Sequence, residues 1–315
     1  MTGSIVLATN QGLGILAKSF YDNGLIDKVL IRKHQRENHP EWYGENGKWL
    51  SESNYEWFLK DLDSILYFED PFEWKMIPRA RERGIKNVLM PMYECTRNPL
   101  CYEPDVILCP SLLDLEYFKE KNALFVPVPV DESWTLRKTA EVFVHNAGNG
   151  GLGGRNGTRE LLEAMKYVKS PIKLIIRYQE GNIASNDPRV ELRKGTFAKD
   201  TLYDEGDVFI FPEKFNGLSL PLQEAFASGM AVMSSDRFPM NTWLPKEILI
   251  PVSSYKRESI SVEFESAVIE PRDIAQTIDN WYGKDIIELS LKGKKWAEQH
   301  SWKALKHIYG QILSR

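Results

Sequence analysis

The residues with the most chemistry to offer lie between Phe211 and Val232, in FPEKFNGLSLPLQEAFASGMAV. An apolar run ends at Phe211-Pro212, and a loop then carries Glu213, Lys214, Asn216 and Gly217. A helix is expected from about Leu220, with Glu224 in its first turn and Ser228-Gly229 closing it. A carboxylate at such a junction has two natural uses, capping the helix or bonding a pair of vicinal hydroxyls such as those of a ribose. Two glycine-rich turns add a second kind of chemistry. Gln11-Gly12-Leu13-Gly14 follows the run Ile5–Thr9, and Asn146 to Gly157 follows Val142–His145. Glycine permits positive φ and close approach, and a helix N-terminus offers unpaired N–H groups to an anion. Neither turn fits the dinucleotide fingerprint, so each reads either as a phosphate cradle or as a tight connection. Arg155 and Arg177 are the cations best placed to meet a diphosphate, with Lys214 as a third.

These groups need elements to position them. Short β-branched runs alternate with helix-period segments, which favours parallel sheets covered by helices. Expected strands are Ser4–Thr9, Lys28–Arg32, Ser64–Phe68, Asn87–Met90 and Val106–Leu108. After the extended connector Pro127–Val130 come Glu141–His145, Lys173–Ile176, Val190–Leu192, Asp207–Phe211, Ala231–Ser234 and Ile248–Val252. Helices are expected at Thr158–Val168, Thr201–Asp204 and Pro221–Ala227, with an amphipathic helical tail from Pro271. Two such series make an α/β protein with two doubly wound domains. Ligands settle outside the carboxyl ends of strands in open α/β sheets. That rule groups Arg155, Arg177, Lys194–Thr196, Asn216, Gly217 and Glu224 on one edge of the second domain. On the first domain it selects Glu69-Asp70 and Tyr93-Glu94.

Composition sets the outer bounds. The chain has 315 residues, 43% of them apolar and 27% charged, with a net charge of −4. Neither half is basic, which weighs against a nucleic-acid partner. Cys95, Cys101 and Cys109 match no zinc spacing and read as reduced thiols. No window has the roughly 18 uninterrupted apolar residues of a membrane span. The N-terminus MTGSIVLATNQGLG lacks a basic n-region, so a cytoplasmic location is the expectation.

Asn216 to Gly229 resembles the donor-site signature E-G-F-G-L-P-x-x-E-A-x-A-x-G of GT-B glycosyltransferases of the family 4 kind. Asp207–Pro212 is similar to the strand before that signature, and Arg155–Ala164 to its K-G-x-x-x-L-L-E-A segment. Asp105–Ser111 with Val126–Asp131 resembles the interdomain joint, and Ser301-Trp302 the start of the C-terminal helix. The resemblance spans nearly the whole chain and is strongest from Asp105 onward. It implies a GT-B fold of two facing Rossmann-like domains, residues 1–135 on the acceptor side and 136–298 on the donor side. Residues 299–315 would form a helix crossing back to the first domain.

The same resemblance implies a retaining, metal-independent transfer of a hexose from a nucleotide sugar, UDP-sugar favoured, with no cofactor. Glu224 would bind the donor ribose, and Gly217-Leu218-Ser219 would face the sugar or phosphates. Thr196 and Phe197 would hold the base, while Gly12, Gly14, Asn146, Arg155 and Arg177 would surround the diphosphate. Glu94, Glu69 and Asn216 are the catalytic candidates. Three positions depart from the pattern. The first acid of the signature falls on Asn216 unless Glu213 substitutes, the phosphate-binding lysine falls on Asn156, and a usual arginine falls near Asn146. The acceptor is expected to be a glycan or small molecule. A phage-type transferase acting on hydroxymethylated DNA is an alternative, resting on the Arg/His/Trp loop that contains His34, His39, Trp42 and Trp49. A nucleotide-sugar epimerase and a non-catalytic sugar-nucleotide-binding protein are the others.

Overall fold

The computed structural model describes residues 1–35, 37–149, 154–198, 201–259 and 262–314. The chain divides into two compact units. One is Met1–Pro129 with the segment from Trp302 on, and the other is Val130–Ser259 with Glu263–Ser301.

The first unit begins with β1 (Thr2–Leu7), α1 (Gly12–Asp22), β2 (Lys28–Arg32) and β3 (Gly47–Trp49). It continues with α2 (Tyr55–Leu59), β4 (Ser64–Phe68), α3 (Met76–Arg81), β5 (Lys86–Met90), β6 (Val106–Cys109), α4 (Leu112–Tyr117) and β7 (Ala123–Phe125). Its seven strands are all parallel, in the order β3-β2-β1-β4-β5-β6-β7. The central strand β4 is a continuous run, Ser-Ile-Leu-Tyr-Phe, buried at every position. Such a run is what a parallel strand covered on both faces requires.

The second unit has β8 (Val142–Gly148), α5 (Thr158–Ala164), β9 (Lys173–Tyr178), β10 (Val190–Lys194), β11 (Val208–Phe211), α6 (Leu220–Ala227) and β12 (Ala231–Ser234). A hairpin of β13 (Ser254–Ser259) and β14 (Glu263–Val268) follows, then α7 (Pro271–Trp281) and α8 (Ile287–His300). The parallel sheet runs β10-β9-β8-β11-β12. Its strands send alternate residues to two cores. Phe143, Leu174, Ile176, Val208 and Ile210 pack with Leu161 of α5 and Ile274 and Ile278 of α7. Val144, Ile175, Phe209 and Phe211 pack with Leu222 and Phe226 of α6. The period of two thus fixes which residues of each strand support α6 and its preceding loop.

Two expected elements differ. Ile248–Val252 is not a strand: pairing shrinks to a single parallel bridge between Ser235 and Ile250, with Ile250 N donating to the Ser234 carbonyl and Asp236 N to that of Ile250. Thr201–Asp204 is a turn segment and not an α-helix. The final helix, α9 (Trp302–Leu313), belongs to the first unit. Trp302 and Tyr309 pack edge-on against Phe20 of α1 at 5.2 and 4.9 Å between ring centres. The Tyr309 hydroxyl donates to the Pro127 carbonyl at 3.0 Å, and Lys86 Nζ to that of Ile312 at 2.8 Å. Among the described residues no helix is long and apolar enough to cross a membrane.

The glycines of the first turn do different work. A Cβ on Gly14 would sit 2.8 Å from both Thr9 N and Thr9 Oγ1, so the first turn of α1 packs on the end of β1 only without a side chain. A Cβ on Gly12 would meet nothing within 4 Å. Gly14→Ala is therefore expected to destabilise the protein by about 1–3 kcal/mol, the usual range for overpacking. Gly12→Ala should stay within about 1 kcal/mol of the parent. Urea unfolding of the two variants separates these outcomes.

A buried charge network and a tyrosine-held acid as the candidate functional site

The order of the second sheet reverses between β8 and β11, and the crevice at their carboxyl ends is where ligands settle in such sheets. The chain leaves β11 at Phe211, and Pro212 ends the ladder. Glu213 then points inward and is completely buried. An isolated buried carboxylate would be very costly. Arg237, itself 3% exposed, meets it with Nη2 donating to Glu213 Oε2 at 3.0 Å. The same guanidinium donates to the carbonyls of Glu213, Asn216 and Phe238. Asn216 completes the network. Its Nδ2 donates to Glu213 Oε1 at 2.9 Å, and its Oδ1 accepts from the N–H groups of Leu218 and Ser219, each at 3.1 Å.

This arrangement corrects the expectation for two residues. Asn216 spends its amide on the loop, so it positions the segment Gly217-Leu218-Ser219 and is not a catalytic group. Glu213 does not stand in for the missing acid, because it is sealed beneath the loop and neutralised by Arg237. Ser219 ends the loop at φ 46°, in the left-handed region that non-glycine residues seldom enter. It precedes α6, whose Gln223 Nε2 ties back to the Leu218 carbonyl at 2.5 Å. The hairpin braces the same loop from outside: Ala267 N donates to the Lys214 carbonyl at 2.8 Å, and the rings of Phe264 and Phe215 lie 4.3 Å apart.

Glu224 is the fifth residue of α6, past the first turn, so helix capping does not explain it. Its Oε2 accepts from the hydroxyl of Tyr203 at 2.9 Å. Tyr203 is buried, edge-on to Phe209 at 5.7 Å, and its hydroxyl is held well above its ordinary pKa by burial first and by the Glu224 charge second. Asn146, at the end of β8, lies beside that hydroxyl.

Arg177 is also corrected. It is 5% exposed, with Nη1 donating to the Leu202 carbonyl and Nη2 to Glu205 Oε2 at 3.1 Å. Arg193, its register neighbour on β10, also pairs with Glu205. Arg177 therefore anchors the segment around Tyr203 and is not available as a diphosphate cation. Lys214 pairs with Glu160 at 2.8 Å. Phe197 lies 5.6 Å from the Arg177 guanidinium, next to exposed Thr196. Arg155 stands near the start of α5 and its carbonyl accepts from Lys214 N. Asn156 Nδ2 donates to the Ala147 carbonyl at 3.0 Å, which pins the turn to β8. Gly157 takes φ 69° and leaves room for Pro212, whose Cγ would lie 2.8 Å from a Cβ there. Gly150 to Gly153 of the same turn lie outside the described residues.

In the first unit, Glu69 follows β4 at φ 62°, its carbonyl accepting from Thr96 Oγ1 at 2.6 Å. Glu94 is 2% exposed, within the field of Asp114. Burial foremost and then Glu94 raise the Asp114 carboxyl to about 7. In the loop behind the nucleic-acid alternative, one histidine is held by neighbouring acids. His39 sits between Glu37 and Glu41 at 2.6 and 2.8 Å and stacks on Trp42, while Arg36 lies outside the described residues.

Sequence reasoning missed Arg237 and Tyr203. A signal for Arg237 existed. Glu213 and Arg237 follow adjacent parallel strands whose ends, Phe211 and Ser234, are in register, so an acid and a base leave the sheet side by side. Tyr203 had none, because only tertiary packing brings it to Glu224.

No family model matches this chain, and neither does any curated protein. Solved structures do. Sucrose-phosphate synthase from Thermosynechococcus elongatus matches with a TM-score of 0.66 at 14% identity, over 99% of this chain and 97% of that one. HepE of Anabaena in complex with UDP gives 0.67 at 11%, over 99% and 97%. The lipopolysaccharide outer core galactosyltransferase WaaB gives 0.64 at 12%, over 99% and 98%. At this identity the likeness establishes the fold, which is GT-B as the sequence resemblance implied.

Two outcomes follow from the buried polar groups. Asn216→Asp would set a second carboxylate against Glu213. It should cost about 2–4 kcal/mol at neutral pH, comparable to breaking a buried pair. Denaturant titrations of the parent and the variant at neutral pH test this. His145, fully buried, donates from Nδ1 to the Ile210 carbonyl at 2.9 Å and so accepts at Nε2 from Thr158 Oγ1 at 2.7 Å. Burial lowers its pKa from 6.5 to about 4. Because the folded value is depressed, its contribution is complete above 6.5 and lost as pH falls toward 4, a change of about 3 kcal/mol. The stability advantage of the parent over His145→Gln should narrow by that order across this range.

Proposed function

We propose that this chain is a glycosyltransferase that moves a sugar, a hexose from a UDP-sugar in the favoured reading, from a nucleotide diphosphate to an acceptor hydroxyl. The observation that carries the reading is Glu224. It is an acid beyond the helix cap, held by a buried tyrosine at the strand-order reversal of a GT-B donor-type unit. A carboxylate so placed suits the vicinal hydroxyls of a ribose. The Anabaena structure of this fold in complex with UDP supports the nucleotide class.

Displacement at an anomeric carbon needs the charge of the departing diphosphate to be met and an oxocarbenium-like centre to be stabilised. Arg155, near the start of α5, is the residue we assign to the diphosphate. The backbone of Gly217–Ser219, stiffened by Asn216 and Arg237, faces the sugar. Glu69 and Glu94 are the acids we assign to orienting an acceptor hydroxyl, on a glycan or small molecule. Retention and independence of metal complete the proposal and come from the family resemblance.

One observation favours a second reading, a non-catalytic binder of sugar nucleotides. The signature acid is replaced by Asn216 and a phosphate-type arginine is spent on structure. Incubation with UDP-, GDP- and ADP-sugars, with and without EDTA, decides between them. Transfer or slow hydrolysis of one donor, unchanged by EDTA, is expected. Glu224→Ala should then raise KM by about 10- to 100-fold, as loss of charge-assisted hydrogen bonds does. Arg155→Ala should lower kcat by at least about 10-fold, since it acts on charge developing in the transition state. Binding without turnover across the panel would establish the second reading, and absence of nucleotide binding would overturn both.

A further inference from the structure

The segment that carries Tyr203 is held at nearly every polar point. Arg137 Nη2 donates to the Tyr203 carbonyl at 2.8 Å and to the Asp204 carbonyl at 3.0 Å. Arg177 takes the Leu202 carbonyl, and Glu205 is shared between Arg177 and Arg193. Three guanidinium groups therefore fix four consecutive residues that contain no regular element of their own. So much cationic hydrogen bonding on a short turn demands a reason. The turn delivers Tyr203 inward, against Phe209 and onto Glu224 Oε2, beside a partly buried Leu202 that packs on the same core.

The geometry points to Tyr203 as a positioning residue that sets the plane of the Glu224 carboxylate, so that discrimination for a ribose belongs to the Tyr203–Glu224 pair and not to Glu224 alone. This rests on the reading of Glu224 as the ribose acid. A glutamate on a helix surface has three rotatable bonds, and holding one oxygen removes most of that freedom before ligand arrives. The hydroxyl does this reliably because it stays protonated: burial and the neighbouring carboxylate both oppose its ionisation. Asn146 of β8, the strand at the centre of the sheet, neighbours the hydroxyl. Arg137, Arg177, Arg193 and Glu205 then act one step further out, as the frame that keeps the tyrosine in place.

The experiment is titration calorimetry of the full chain with UDP, GDP and ADP, then with the 2′-deoxy form of whichever binds. The parent should lose on the order of 10- to 100-fold in affinity for the 2′-deoxy nucleotide, the effect of one charge-assisted hydrogen bond. Tyr203→Phe keeps the ring and removes only the donor. It should weaken the ribonucleotide by about 10-fold while leaving the 2′-deoxy form nearly unchanged, so the ratio falls by about 10-fold from its parent value. A merely structural tyrosine would weaken both nucleotides equally and preserve the ratio, and that result overturns the inference while leaving the glycosyltransferase reading intact. If Tyr203→Phe does not fold, Arg137→Met provides the same comparison, because it releases the turn without touching the carboxylate. Its ratio should collapse as well, and an unchanged ratio counts against the inference. A parent that binds the nucleotide but ignores the 2′-hydroxyl overturns the role of the pair. A parent that binds no nucleotide overturns the reading of the site itself.

Discussion

A fully buried carboxylate must be neutralised, and the ion pair of Glu213 with Arg237 is the constraint from which the candidate site follows. Both residues leave the ends of adjacent strands, β11 and β12, so their pairing costs the chain no excursion. Once Arg237 is committed, its remaining N–H groups reach the carbonyls of Glu213, Asn216 and Phe238. That converts a glycine-containing loop into a fixed surface. Buried pairs of this kind seldom add net stability over an apolar substitute. What the pair adds here is a defined conformation for the loop, including a left-handed Ser219 that no local preference would select.

A second set of charges plays the same part at the turn whose Tyr203 bonds Glu224. Arg137, Arg177 and Arg193 spend their donors on the turn from Leu202 to Glu205. Arginine suits this work because one planar group can satisfy two acceptors at once. The consequence is that a side chain can look like a phosphate ligand in sequence and be a structural clamp in the fold. Position at the end of a strand does not distinguish the two uses; the partner does. Glu205, the last residue of the turn, is that partner for both Arg177 and Arg193.

Most of the architecture was legible in the sequence because parallel strands advertise themselves. Ser64–Phe68, Lys173–Ile176 and Ala231–Ser234 are apolar runs too short to be helices, and each is a strand. Ile248–Val252 looked equivalent, yet its pairing with the neighbouring strand stops at the one bridge from Ile250 to Ser235. The hairpin of β13 and β14 escaped notice for the opposite reason: its first strand, Ser-Tyr-Lys-Arg-Glu-Ser, is mostly exposed and carries no apolar alternation. In the site, Glu224 and the loop were visible through their motif. The corrections at Asn216, Glu213 and Arg177 were not, because each depends on which neighbour lies within about 3 Å, a property of packing and not of spacing.

The asparagine at position 216 then has a physical explanation that does not require loss of function. The position must donate to Glu213 and accept from two backbone N–H groups at the same time. A glutamate there could accept but never donate, and it would place a second negative charge beside the first. Among side chains of this size, an amide satisfies both demands. The acid at 213, the base at 237 and the amide at 216 are therefore one interdependent choice. Glu213 and Arg237 cancel beneath the loop before α6, and its Lys214 is paired with Glu160, so the loop carries no unpaired charge of its own. Whatever recognition the loop performs must come from backbone groups and hydroxyls, and the negative charge of the site is carried by Glu224 on the helix behind it.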